Sequence, residues 1–140
     1  MRKKTFTAKK IVKLPDSELN LMMLIWEEYS NGEKKITASM LTERHPETLG
    51  ELKPTTVLTL LTRLEQKGFI EIDKERRPNY CVPLIQEKEY KQLITEDFVN
   101  VVYRKDAKSL VCALIRQNKL AEEDIREIRD MIASEIDADS

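Results

Sequence analysis

Pro54 and Gly68 bracket the stretch that most limits how this chain can fold. Proline at a first helical position has a preset φ and no amide to leave unpaired, and glycine readily takes the left-handed angle that stops a helix. The run from Lys53 to Gly68 (KPTTVLTLLTRLEQKG) therefore predicts a bounded helix of about four turns. Val57, Leu60, Leu61 and Leu64 recur at i, i+3, i+4 and i+7 as one apolar stripe, while Thr55, Thr56, Thr59, Thr62 and Arg63 take much of the remainder. A merely solvated face would carry Glu/Lys pairs, because threonine is a mediocre helix former that adds little to solubility. Short polar side chains suit a helix that must approach something closely. A DNA major groove admits a helix and is read by short-range hydrogen bonds and methyl contacts. From this stretch alone, a core helix with a plain outer face is an equal alternative.

With 140 residues the chain has room for one domain, or one small domain with an accessory part, and not for a multidomain enzyme. Three glycines and five prolines among many charged residues and helix formers point to a mainly helical fold. The net charge of -1 hides an asymmetry: 15 basic against 12 acidic residues up to position 84, and 9 against 13 from position 85 onward. Residues 1–13 hold Arg2, Lys3, Lys4, Lys9, Lys10 and Lys13 with no acid, a basic arm of the kind polyanion-binding modules carry and solvated termini share. Cys81 and Cys112 form no CxxC and have only His45 as an imidazole companion, so no metal site, cofactor or disulfide framework is expected and both cysteines read as buried small hydrophobes. No apolar run is long enough to span a bilayer and no signal peptide is visible; no membrane insertion and a cytoplasmic location are expected.

Along the chain, Asp16 or Ser17 is placed to cap a helix carrying Leu19, Met22, Met23, Ile25 and Trp26 and ending near Gly32. Thr37 caps a shorter helix that His45-Pro46 closes, with His45 read as a loop residue, and a loop from Glu47 to Leu52 leads to the Thr-rich helix. That is the order of a helix-turn-helix unit. Phe69–Asp73 and Asn79–Val82 are β-rich runs around Lys74, Glu75, Arg76, Arg77 and Pro78, which predicts a hairpin with a basic tip, the wing of a winged helix. Lys74, Arg76 and Arg77 are there candidates for phosphate contact. From position 85 three amphipathic helices follow, striped by Tyr90, Leu93, Ile94, Phe98, Val101 and Val102, then by Leu110, Val111, Leu114 and Ile115, then by Ile125, Ile128, Ile132 and Ile136. So short a helical segment buries too little surface to be a secure fold alone, and a second copy of it is the simplest partner.

These residues resemble the penicillinase-repressor family, the BlaI/MecI-type winged-helix repressors, over roughly residues 12–136. The resemblance is carried by Asp16-Ser17-Glu18-Leu19 through Ile25-Trp26, by Lys53-Pro54-Thr55-Thr56-Val57 through Arg63-Leu64 and Lys67-Gly68, and by Arg77, Tyr80 and Pro83. It implies a homodimer that holds its protomers together through the C-terminal helices, with Lys53, Thr55, Thr56, Leu58, Thr59 and Arg63 facing the groove or its phosphates and Arg77 on the wing. Leu58 stands where members often have a polar residue, which suits contact with a thymine methyl. Arg76 replaces a common wing glycine, and Cys81 a tyrosine. The resemblance also implies a membrane sensor whose signal leads to repressor cleavage, here near Asn100-Val101-Val102; the typical Asn-Phe bond is not present, nor is the Cys-x-Cys tail of copper-responsive relatives.

The expected architecture is mainly α with a small β-hairpin: a winged helix-turn-helix DNA-binding domain over residues 1–84 followed by a helical dimerisation region over 85–140. The expected dimer contacts are Phe98, Val101, Val102, Leu110, Val111, Leu114, Ile125, Ile128 and Ile132. The expected function is a dimeric transcriptional repressor on a pseudo-palindromic double-stranded DNA operator, and the alternative is a winged helix that binds protein and has no DNA specificity. The two differ in whether the outer face of residues 53–66 is exposed and basic beside the wing. An enzyme is not expected, because no paired acids, Cys/His arrangement or phosphate-cradling glycine loop occupies a plausible position.

Overall fold

The computed structural model describes residues 10–139; Arg2, Lys3, Lys4 and Lys9 of the basic arm lie outside the described residues. Among these, the elements run α1 (Asp16–Ser30), α2 (Ala38–Arg44), α3 (Pro46–Leu49), α4 (Pro54–Gln66), β1 (Ile70–Asp73), β2 (Tyr80–Pro83), α5 (Glu87–Val101), α6 (Ala107–Arg116) and α7 (Glu122–Asp139). Two compact units divide the chain, the first ending at Ile94 and the second starting at Thr95.

In the first unit α1 packs on α4. The buried stripe of α1 is Leu21, Met22, Ile25 and Trp26, so Leu21 joins the core that the sequence reading gave to Leu19 and Met23; Leu19 is half-buried and Met23 exposed. The i, i+3, i+4, i+7 and i+8 spacing that starts at the buried Glu18 explains the shift. Neither Asp16 nor Ser17 caps α1: the helix begins one residue earlier, with Pro15 as N-cap and its carbonyl accepting from Leu19 N at 2.8 Å. Asp16 instead places its charge in the positive first turn. Thr37 does cap α2, its hydroxyl accepting from Met40 N at 3.1 Å. The expected loop after Pro46 contains one further helical turn, α3, because Pro46 starts it as Pro54 starts α4.

Val57, Leu60, Leu61 and Leu64 are all buried, as their spacing predicts. The end of α4 is a Schellman turn: Gly68 sits at φ 83°, its amide donates to Glu65 O, and Phe69 N donates to Leu64 O, both at 3.0 Å. The turn delivers Phe69 into the core, where its full burial is worth about 2–3 kcal/mol. β1 and β2 then pair antiparallel, Ile70 opposite Pro83 and Asp73 opposite Tyr80. Ile36, before α2, adds a bridge to Cys81, whose amide donates to Ile36 O at 2.8 Å. Burial pushes the Cys81 thiol up to about 12, so it is an inert core group.

Tyr90 explains why the first unit extends into α5. Its ring lies 5.8 Å from that of Trp26 and 5.5 Å from that of Phe69, and its hydroxyl accepts from Leu14 N at 2.8 Å. Trp26 Nε1 donates to Ile85 O at 2.8 Å, which holds the approach to α5 as well. The second unit is built differently. Asp106 caps α6 by accepting from the amide and hydroxyl of Ser109, bonds that hold its carboxyl below the usual range. No residue described in α6 or α7 is buried. Cys112, expected to be buried, is half-exposed there, and Val102 lies just past the end of α5. Among the described residues, no helix is long and apolar enough to cross a membrane.

His45 is not a solvated loop residue. It is buried, and its Nε2 lies 2.7 Å from Oε2 of Glu28, itself buried near the end of α1. A carboxylate only accepts, so Nε2 carries the proton. Arg44 Nη1 donates to Glu28 Oε1 at 2.7 Å and Nη2 to Glu33 at 3.4 Å, and the cluster ties α1 to the α2–α3 corner. The hydrogen bond from His45 holds the Glu28 carboxyl below its ordinary value, against the opposing effect of burial and with help from Arg44. A carboxyl depressed in the folded state stabilises above its unfolded pKa and loses that contribution as pH falls through the folded value. Glu28→Gln is expected to cost about 1.5–3 kcal/mol at neutral pH. Denaturant unfolding at a series of pH values checks this: the gap between wild type and variant should hold at neutral pH and close below about 4.3.

Candidate nucleic-acid interface

With α4 anchored by a four-residue stripe, its opposite side is exposed among the described residues. Thr55, Thr56, Leu58, Thr59, Thr62 and Arg63 are all exposed, Leu58 by 54%. Lys53, exposed at the N-cap, accepts from Thr56 N and Val57 N through its carbonyl and keeps its side chain outward. The hydroxyls are not equivalent. Thr59 Oγ1 donates to Thr55 O at 2.9 Å and Thr62 Oγ1 to Leu58 O at 3.0 Å, so each leaves a methyl group and an accepting oxygen for an external partner. Thr55 and Thr56 make no such side-chain bond among the described residues and keep their donors.

The helical repeat puts Leu58 and Glu65 toward the hairpin and Thr56 and Arg63 on the other flank. Leu58 thus occupies the rim of a groove of about 310 Å³, lined also by Thr37, Thr62, Ile72, Lys74 and Asn79. The wing's cations divide in the same way. Lys74 Nζ pairs with Glu65 at 3.4 Å, and Arg76 Nε pairs with Asp73 at 3.4 Å while its guanidinium stands 6.0 Å from the Tyr80 ring centre. Arg77, Arg63 and Lys53 have no carboxylate partner among the described residues. All of the expected interface residues are therefore exposed, on α4, at its cap or on the wing tip.

Among the described residues, one cluster bears on the expectation of no metal. Glu27, Glu28 and His45 bring ligand atoms within 4.8 Å of one another, but both Glu28 oxygens are taken by Arg44 and His45, and the guanidinium opposes a cation. The sequence placed Thr62 on the outer face of α4 but not among the site residues, and it marked neither Glu65 nor Asn79 as part of a site. Thr62 had the same outer-face position as Thr59, whereas Glu65 looked like any helix acid, and nothing local marked Asn79 as lining a groove with it.

A helical unit whose hairpin directly follows an exposed, Thr-rich helix has the architecture of a winged helix-turn-helix. The penicillinase repressor family profile matches residues 14–134. The chain is 27% identical over 123 residues to the methicillin resistance regulatory protein MecI of Mammaliicoccus sciuri, covering 88% of this chain and 95% of the relative. It is 27% identical to the penicillinase repressor of Bacillus licheniformis and 29% identical to that of Staphylococcus aureus, each across 89% of this chain and 92% and 94% of the relatives. The chain belongs to the penicillinase repressor family, whose members are DNA-binding transcriptional repressors and not enzymes.

Proposed function

We propose that this repressor works as a homodimer in the cytoplasm on a pseudo-palindromic operator, with α4 in the major groove and the wing on the flanking backbone. The observation that carries the reading is the exposed face of α4, where short side chains stand near three cations that have no carboxylate partner among the described residues. Cations at both ends of a row of short side chains match the phosphates that flank a groove. Lys53, Arg63 and Arg77 are the backbone contacts in this reading, Lys74 and Arg76 secondary ones, and Thr55, Thr56, Leu58 and Thr59 the groove readers. Repression follows by steric exclusion of polymerase.

The dimer is supported by the second unit, which has apolar stripes and no buried apolar residue among those described. Phe98, Val101, Val102, Val111, Leu114, Ile128 and Ile132 are exposed and Leu110 and Ile125 half-buried, with Val101 at 66%. A two-fold pairing of this surface would cover the stripes and set two recognition helices about a dyad.

Binding to a selected duplex should weaken linearly in log salt, and Arg77→Ala should flatten the slope by about one unit for cognate and random DNA alike. Arg76→Ala should flatten it less, because Asp73 already neutralises that guanidinium. Leu58→Gln should change base preference while leaving random-DNA affinity intact; equal effects on both duplexes would remove Leu58 from the readers. Ile132→Glu should shift sedimentation toward monomer and weaken dimerisation on the order of tenfold or more. An unchanged dimer would rule out that face.

A further inference from the structure

Glu65 is the sole acid of α4, on a helix proposed to face phosphates, where a carboxylate repels. Its side chain is only 28% exposed and lies in the groove between α4 and the hairpin. Oε2 accepts from Ile72 N at 3.3 Å and Oε1 pairs with Lys74 Nζ at 3.4 Å. The first of these bonds answers a need of the hairpin. Ile72 stands opposite Cys81, and Cys81 turns its amide away from β1 to reach Ile36. Opposed residues of an antiparallel pair both face inward or both outward, so the Ile72 amide also points out of the ladder, on the side where Glu65 meets it. Beyond Lys74, Asp73 accepts from Glu75 N at 3.0 Å and pairs with Arg76, which stiffens the tip that carries Arg77.

We infer that Glu65 is a positioning residue that fastens the wing to the recognition helix by gripping the Ile72 amide and the Lys74 ammonium, so that Arg77 meets the backbone in register with the groove-reading threonines. The inference rests on the interface proposed above. It makes a sign prediction opposite to that for a solvated acid: deleting a negative charge beside DNA should ordinarily tighten binding, whereas deleting an anchor should loosen cognate binding.

The test uses the full-length protein with a duplex it selects from a randomised pool and with a random duplex. Glu65→Ala should bind the selected duplex about tenfold more weakly while binding random DNA at least as well as wild type. Glu65→Gln, whose amide oxygen can still accept from Ile72, should stay within about threefold on the selected duplex. In the DNA-free protein, the Ile72 amide should exchange with solvent faster in Glu65→Ala than in wild type or Glu65→Gln. Tighter or unchanged cognate binding by Glu65→Ala, or equal losses in the two variants, would overturn the inference. So would wild-type Ile72 exchange as fast as that of the tip amide of Arg76, a result readable even if Glu65→Ala fails to fold. Failure of the wild type to distinguish selected from random DNA would sink the interface itself, and the exchange measurement would report on the anchor separately.

Discussion

The left-handed turn at Gly68 is the constraint on which the first unit depends. At φ 83° any residue with a Cβ is strained, and the two bonds closing the turn fix where the chain leaves α4. Phe69 is thereby sunk into the core beside Tyr90, and the hairpin starts with its direction already set. The Thr-rich helix α4 and the hairpin are consequently not two independently placed elements. One turn of backbone and one buried ring define both.

Charge is used in two distinct ways. Buried acids of α1 reach across to other elements: Glu18 pairs with Lys67 just past α4, and Glu28 binds Arg44 and His45 at the α2–α3 corner. Each acid has its partners at hand, which is the condition under which a buried carboxylate is tolerated. On the outer side the reverse holds, and Lys53, Arg63 and Arg77 have no carboxylate partner among the described residues. Acids stitch the interior, while cations are kept for the surface opposite.

The two units also differ in what holds them. The first has an apolar core running from Leu14 to Tyr90, closed by aromatic contacts and buried hydrogen bonds. The second has well-formed helices whose apolar stripes remain in solvent, Ile132 by 54%. Helices of this kind draw most of their stability from packing, not propensity, so such a surface acquires meaning only with a partner.

The stripe Val57, Leu60, Leu61 and Leu64, the Pro54 start, the Gly68 stop, the Thr37 cap and the hairpin were all legible in the sequence, because each follows from spacing or backbone chemistry within a few residues. The face of α4 was legible for the same reason: once the core side is assigned, the remainder follows by rotation. What the tertiary structure alone decided are the relations between residues far apart in the chain. His45 looked like a loop residue until Glu28, seventeen positions away, came within 2.7 Å. Tyr90 looked like the start of a C-terminal stripe until Leu14, Trp26 and Phe69 gathered round it. Glu65 was one more helix acid until β1 turned an amide toward it. Periodicity reports which side of an element is apolar; only folding brings together the groups that satisfy a buried carboxylate or an outward-facing amide.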